Sequence, residues 1–169
     1  MAEDAVVVAT GADRPGVMDE LSQFFVECGV NIIQSRSVSL AGTYSLLLHI
    51  RGEAPAIQSV RAGLPKLNEG GICTEVRPAS TSESSDAATF PYIFIATGKD
   101  QIGVLHRISH LMRVLKVNMD DMKTRVAADH SFEIRLALAV PRETPVAMLK
   151  DYLSYLCKEL GIEGELKEA

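Results

Sequence analysis

The sequence predicts an α+β protein that contains two copies of one βαββαβ unit. The main observation is an internal repeat: residues 6–17 align with residues 93–104 without a gap and share Ala, Thr, Gly, Asp, Gly and Val. The second observation is that each copy carries a hairpin pattern between two helix patterns. A ferredoxin-like unit has this order of elements, so we expect two four-stranded antiparallel sheets, each with both helices on one face.

The first strand, loop and helix of each copy follow from its opening residues. Residues 6–9 and 93–96 are short apolar runs of the buried-strand type. Pro15, in the loop that follows, suits the first turn of a helix, and Gly29 suits the end of that helix as a C-cap. In the second copy the apolar positions of this helix share one face, as in an amphipathic surface helix, and are Val104, Leu105, Ile108, Leu111, Met112 and Leu115.

A hairpin follows the first helix in each copy. In the first copy, residues 32–40 and 44–51 are joined by a short turn, and the second of these strands alternates apolar and polar side chains. The second copy shows the same alternation over residues 132–140. It has one extra residue within 128–130, where a hairpin turn tolerates an insertion.

A second helix and a last strand complete each copy. We expect helices over residues 55–67 and 144–160, and closing strands over 72–77 and 162–167. The apolar face of the later helix consists of Val146, Leu149, Leu153, Leu156 and Leu160.

The repeats also predict the domain boundaries. Residues 1–78 form the first expected domain and residues 91–169 the second. Residues 79–90 between them are rich in Ser and have no apolar periodicity. This composition is typical of a flexible linker.

Composition and charge exclude several classes of protein. The chain has 169 residues, of which 47% are hydrophobic and 23% charged, and its formal net charge is −5. An acidic chain lacks the basic face that direct nucleic-acid binding needs. No apolar run is long enough to span a bilayer, and the acidic N-terminus lacks the pattern of a secretory signal. Cys28, Cys73 and Cys157 form no CxxC pair, so neither a disulfide framework nor a Cys-based zinc site is expected. These features predict a soluble, cytoplasmic protein with no membrane contact and no direct nucleic-acid contact.

The loop after the first strand carries the most specific pattern in the chain. It reads TGADRPGV over residues 10–17 and is followed by Asn31. This loop resembles that of the ACT domain, in which an Asp-Arg-Pro-Gly turn lies between strand one and helix one. In the second copy, residues 100–103 keep only the Asp and the Gly of that turn. Two such copies in a chain of this size resemble the glycine cleavage system transcriptional repressor family of bacteria.

The resemblance implies a small amino-acid ligand, of the glycine or serine kind, bound where two ACT domains meet. The physical chemistry of the loop agrees with this. Gly16 lets the backbone approach a ligand closely, and the first-turn amides of the next helix attract a carboxylate. The Asn31 amide offers both a donor and an acceptor. The candidate ligand-binding residues are Asp13, Arg14, Gly16, Val17, Met18 and Asn31 in the first copy, and Asp100, Gly103, Val104 and Asn118 in the second.

Each candidate residue also has a purely structural interpretation. The two glycines permit a tight turn whether or not a ligand binds. The two aspartates could cap the helix that follows, and the two asparagines could begin a strand after a helix. Arg14 could simply be solvated, since the second copy has Gln101 in its place.

No catalytic or cofactor-binding pattern stands out. His106 and His110 have the i, i+4 spacing of metal ligands on a helix, but the sequence offers no third ligand, and two solvated histidines are expected. Arg14 and Asn31 superficially resemble an acylphosphatase site, although the second copy lacks the arginine. We therefore expect no enzymatic activity, no cofactor and no bound metal.

The resemblance further implies a protein partner. In the repressor family, that partner is a DNA-binding activator of glycine cleavage genes, contacted through protein–protein interactions that the ligand changes. The chain could also form a homodimer through the edges of its sheets. The alternative functions are a ligand-free ACT interaction module that regulates a metabolic enzyme and, further away, an acylphosphatase-like enzyme.

Overall fold

A computed structural model describes residues 1–79 and 89–169 of the chain. The chain divides into two compact units, Met1–Thr81 and Ser82–Ala169, called unit 1 and unit 2 below. Both units have the element order β-α-β-β-α-β. The predicted fold class and the duplication are therefore confirmed.

Unit 1 holds one antiparallel sheet with two helices. Its elements are β1 (Ala2–Ala12), α1 (Val17–Glu27), β2 (Asn31–Leu40), β3 (Thr43–Glu53), α2 (Ala54–Glu69) and β4 (Ile72–Pro78). The strand order in the sheet is β2-β3-β1-β4, and every neighbouring pair is antiparallel. The hairpin strands β2 and β3 therefore lie on one side of β1 and the last strand on the other.

Unit 2 repeats this arrangement. Its elements are β5 (Thr89–Lys99), α3 (Val104–Val114), β6 (Asn118–Val126), β7 (Ser131–Pro141), α4 (Val146–Leu160) and β8 (Glu163–Glu168). The strand order is β6-β7-β5-β8, again antiparallel throughout. The inserted residue of this copy lies in the β6–β7 turn, where His130 has a φ of 61°.

Each unit has its own apolar core between the sheet and the helices. On β3, the buried side chains are those of Leu46, Leu48 and Ile50, which alternate with outward-facing residues as the period-two pattern predicts. The helices of unit 1 contribute Val17, Leu21, Phe25, Ile57, Val60, Leu64 and Leu67 to the same core. The corresponding core of unit 2 includes Phe94, Ile108, Met112, Leu136, Leu149 and Leu153. None of the four described helices combines the length and the apolar character that a bilayer crossing requires.

Several boundaries differ from the sequence-based expectation. Residues 89 and 90, expected in the linker, belong to β5, because Pro141 and Val140 at the end of β7 pair with them. The rest of the expected linker, apart from residue 79, lies at 80–88, outside the described residues.

The start of α1 also differs. Pro15 was expected in its first turn, but the helix begins at Val17, after Gly16 in the left-handed conformation. At the other end the prediction is confirmed: Gly29 follows the last helical turn with a φ of 74°, and its N–H donates to the carbonyl of Val26. In unit 2, α4 starts at Val146 and not at residue 144, because the residue before it has an extended backbone.

Candidate ligand-binding site

The loop between β1 and α1 is closed by backbone hydrogen bonds. The N–H of Asp13 donates to the carbonyl of Gly42 in the β2–β3 turn at 2.9 Å. Gly16 then reverses the chain with a φ of 90°, and its carbonyl accepts the N–H of Glu20 at 2.9 Å to begin the helix. A positive φ at this position is strained for any residue with a side chain, so the glycine is required by the backbone alone.

The equivalent loop of unit 2 has the same backbone geometry despite its different sequence. The N–H of Asp100 donates to the carbonyl of His130 at 2.8 Å. Gly103 has a φ of 94°, and its carbonyl accepts the N–H of Arg107 at 3.0 Å. The Asp and Gly positions and the hairpin turn therefore define the loop, while the two residues between them differ freely.

Both loops present unpaired helix amides. The first three N–H groups are those of Val17, Met18 and Asp19 in α1, and those of Val104, Leu105 and His106 in α3. No side chain caps either helix, and none of these donors has an acceptor among the described residues. The amides carry the partial positive charge of a helix N-terminus, so a carboxylate can bind there. Within unit 1, Met18 also receives a long hydrogen bond from the Tyr44 hydroxyl, at 3.8 Å from its sulfur.

The side chains of the first loop are occupied locally. The carboxylate of Asp13 accepts a hydrogen bond from the Ser39 hydroxyl on β2, so the interpretation of Asp13 as a helix cap is wrong. Asp100 makes no cap either. The Arg14 guanidinium lies 2.5 Å from the Glu20 carboxylate in the first turn of α1. Arg14 is thus exposed but paired, and its charge is balanced by its neighbour.

Gln101, which replaces Arg14 in the second copy, makes a different contact. Its side-chain N–H donates to the carbonyl of Leu160 at 2.8 Å. This carbonyl is at the C-terminal end of α4. The loop of unit 2 is therefore tied to the end of the second helix, whereas the loop of unit 1 is tied to its own helix.

The predicted asparagines lie far from the loops within their own units. Asn31 pairs with Arg51 at one end of β3. The loop begins after Ala12, which pairs with Thr43 at the other end of the same strand. About eight residues at 3.4 Å each put about 27 Å between the two ends. Asn118 occupies the equivalent position in unit 2 as the first residue of β6.

The asparagines therefore serve locally as the first residues of a strand. In unit 2 the amide of Asn118 donates to the Asp120 carboxylate at 2.7 Å. Of the ten predicted residues, the structure groups Asp13, Arg14, Gly16, Val17 and Met18 at one loop, and Asp100, Gly103 and Val104 at the other. It brings neither asparagine to the loop of its own unit.

A cleft opens beside the loop of unit 2. It has a volume of about 320 Å³ and is lined by the predicted residues Asp100, Gly103 and Val104. Arg125 and Glu133, which pair across β6 and β7, also line it. A wider depression of about 1150 Å³ adjoins the cleft and shares both of these charged residues. The cleft is thus lined by the first turn of α3 and by charged residues of both signs.

Sequence reasoning missed Arg125 and Glu133. Both lie in the hairpin next to its turn, and each is an ordinary exposed charge in the sequence pattern. The signal that could have found them is the difference between the copies: Val38 and Ser45 pair at the equivalent position of unit 1. Only the strand register shows that these two residues lie side by side.

The remaining reactive side chains are placed as follows. The imidazole rings of His106 and His110 are 6.3 Å apart between centroids on the outer side of α3. Within residues 1–79 and 89–169, no group of three His, Cys, Asp or Glu residues could hold a metal ion. Burial raises the pKa of the Cys28 and Cys157 thiols, while Cys73 is exposed. Neither the half-buried Cys28 nor the buried Cys157 is activated as a nucleophile.

Comparison with known proteins gives four similarities. Residues 3–76 match the family model of the ACT domain. The chain is 23% identical to the glycine cleavage system transcriptional repressors of Escherichia coli (strain K12) and Shigella flexneri, over 95% of this chain and 87% of each relative. A crystal structure assigned to a glycine cleavage system transcriptional repressor has a TM-score of 0.80 at 22% identity, covering 100% of this chain and 98% of its own. A protein of unknown function from Galdieria sulphuraria has a TM-score of 0.83 at 21% identity, covering 100% and 99%.

Proposed function

We propose that this chain, in which residues 3–76 form an ACT domain and residues 89–169 repeat its fold, is a regulatory protein that senses a small amino acid. The observation that carries the proposal is the cleft of unit 2, whose lining combines the first turn of α3, where the amides are unpaired, with charged residues of both signs. An amino acid carries a carboxylate and an ammonium group close together. A site for it needs an anion-binding end and a cation-binding end within one small cavity.

The cleft of unit 2 supplies both ends. The ligand carboxylate would accept hydrogen bonds from the first-turn amides of α3 and would meet the Arg125 guanidinium. The ligand ammonium would meet the carboxylate of Asp100. A volume of about 320 Å³ is at the lower limit of ligand sites, which suits a small amino acid such as glycine or serine.

Unit 1 is the weaker candidate for a charged ligand. Val38 and Ser45 hold the positions of Arg125 and Glu133. The carboxylate of Asp13 is already hydrogen-bonded within the unit. Although the loop of unit 1 has the more complete Asp-Arg-Pro-Gly motif, we assign the principal amino-acid site to unit 2.

The downstream role follows from the relatives and from the charge. The relatives named above are transcriptional repressors of glycine cleavage, and a chain of net charge −5 is poorly suited to contact DNA itself. We propose that the ligand alters the contact of this chain with a protein partner, a DNA-binding activator, and that the chain carries out no catalysis. Such control requires the ligand to bind one conformational state more tightly than the other.

The test is the thermal stability of the whole chain with each free amino acid in turn. A ligand at 100 times its Kd adds about 2.7 kcal/mol to the free energy of unfolding. This should raise the Tm by several degrees. We expect a selective rise with glycine or serine, lost in Arg125→Gln and in Gly103→Val.

Lys123→Gln is the matched control, because Lys123 is the charged residue two positions earlier on the same strand and does not line the cleft. A Tm that no amino acid moves would refute sensing and favour the ligand-free interaction module. A rise that Arg125→Gln leaves intact would refute the assignment to unit 2.

A further inference from the structure

The first helices of the two units carry opposite charges. Helix α1 contains Asp19, Glu20 and Glu27 and no basic residue. Helix α3 contains Arg107, Arg113 and two histidines and no acidic residue. The two helices occupy the same place in the duplicated unit and differ in the sign of their net charge, with Glu20 and Arg107 at equivalent positions.

Part of this charge is balanced within each unit. Glu20 pairs with Arg14, and Arg107 pairs with Glu159 on α4 at 2.5 Å. Asp19 and Glu27 have no basic partner among the described residues. Arg113 has no acidic partner among them. Glu27 lies in the last turn of α1, where the helix dipole disfavours a carboxylate. Within the helix the side-chain N–H of Gln23 donates to the Glu27 carboxylate at 2.9 Å, so Glu27 has a local hydrogen bond but no positive charge beside it.

Exposed apolar side chains lie beside these charges. Val26 on α1 is 70% exposed, and Val114 on α3 is 60% exposed. Tyr152 and Tyr155 on α4 are also exposed and line a groove of about 380 Å³ between α3 and α4, together with Val114 and the two histidines. Large apolar side chains grouped in this way are typical of surfaces that bind another protein.

The helix layer of unit 1 is filled at the place that corresponds to this groove. A Cβ at Gly63 of α2 would come within 2.5 Å of the Phe24 ring, which shows that this ring covers the glycine. The equivalent positions of unit 2 are Leu111 and Tyr152, and there the groove stays open. Unit 1 thus presents a filled helix surface with an acidic α1, and unit 2 an open groove beside a basic α3.

We propose that the α1 surface of one copy of this chain binds the α3–α4 groove of a second copy. A symmetric contact of α1 with α1, or of α3 with α3, would place like charges opposite each other, which is costly across an interface. A contact of α1 with α3 places opposite charges there. Because each copy has one surface of each kind, a twofold axis can use both contacts and close a dimer.

Charge-reversal variants of the whole chain test this arrangement by analytical ultracentrifugation. At about 100 µM, well above the Kd of a micromolar complex, we expect the wild type at twice its mass of 18.3 kDa. Asp19→Lys/Glu27→Lys and His110→Glu/Arg113→Glu should each weaken association at least about tenfold by placing like charges in contact. An equimolar mixture of the two variants should dimerise again, since the basic α1 of one then meets the acidic α3 of the other.

Lys123→Glu on β6 is the control, and the dimer should persist in it. Circular dichroism should show each variant folded, because Glu27→Lys removes an unfavourable charge from a helix C-terminus. A monomeric wild type at this concentration would overturn the proposal. Charge-reversal variants that remain dimeric, or a mixture of them that fails to reassociate, would also overturn it. A dimer that only Lys123→Glu dissociates would overturn it too, since the contact would then lie at a sheet edge.

Discussion

The contact between Gly63 and Phe24 predicts a mutation whose sign depends on its background. A Cβ at Gly63 would lie 2.5 Å from Cε2 of Phe24 and 2.9 Å from its Cζ. Phe24 is itself packed edge-on against Phe25, with ring centroids 5.3 Å apart. The ring therefore has to move or the helices have to separate when Gly63→Ala is introduced.

The magnitude follows from two opposing effects. Replacing a glycine inside a helix by alanine gains about 1 kcal/mol of helix propensity. Overpacking a filled contact costs about 1–3 kcal/mol. Gly63→Ala should therefore destabilise unit 1 by up to about 2 kcal/mol. In a Phe24→Leu background the far end of the ring is absent, and Gly63→Ala should then stabilise unit 1 by about 1 kcal/mol.

Urea unfolding of the four members of this cycle, followed by circular dichroism, measures the coupling. Ala62→Gly, at the exposed neighbouring position of α2, is the control for helix propensity alone and should cost about 1 kcal/mol. A coupling of about 1–3 kcal/mol between the two sites is expected for residues in contact. If Gly63→Ala raised the free energy of unfolding equally in the wild type and in the Phe24→Leu variant, the Phe24 ring would be able to move at no energetic cost. That result would refute the reasoning.

Three further predictions concern the loop, the charges and the thiols. Gly103→Ala should lower the free energy of urea unfolding by about 1–2 kcal/mol, because the φ of 94° at this position is left-handed. A Cβ there would meet nothing within 4 Å, so the loss would come from backbone strain alone. An unchanged stability would contradict this argument. The hydrogen bonds from Arg51 lower the pKa of Asp4 to about 2 from an ordinary value of 3.8. The stability that this carboxylate contributes is present above pH 3.8 and lost as the pH falls through about 2, and an NMR titration in which Asp4 titrates near 3.8 would contradict it. Iodoacetamide should alkylate the exposed Cys73 first and Cys157 only on unfolding, since burial raises the pKa of the Cys157 thiol; equal labelling rates by mass spectrometry would be the contrary result.

The fold was predictable because its signals are local. The alternation on β3 places Leu46 and Leu48 in the core, and the glycine after α1 ends the helix where the chain must turn. The strand lengths were underestimated, because residues such as Ala2 and Thr89 are held by pairing partners distant in the sequence. Local apolar character carries no information about such partners.

The site was only partly predictable for the same reason. The loop residues are contiguous, so the motif that contains Asp13 and Gly16 locates them directly. Arg125 and Glu133 are distant in the sequence and become neighbours beside the cleft only through the register of β6 with β7. The expected start of α1 at Pro15 was wrong because a left-handed glycine, and not the proline, sets the first helical turn.

The closure of both loops by backbone atoms has a consequence for how the protein can be altered. The bonds from Asp13 to Gly42 and from Asp100 to His130 use only main-chain groups, so the residues between each Asp and its Gly are not needed for loop shape. One copy has Arg-Pro at these two positions and the other has Gln-Ile. A library that randomises residues 14–15 or 101–102 should therefore be rich in folded members, which makes these positions a natural place to recode ligand preference in one half of the chain while the other half keeps its own.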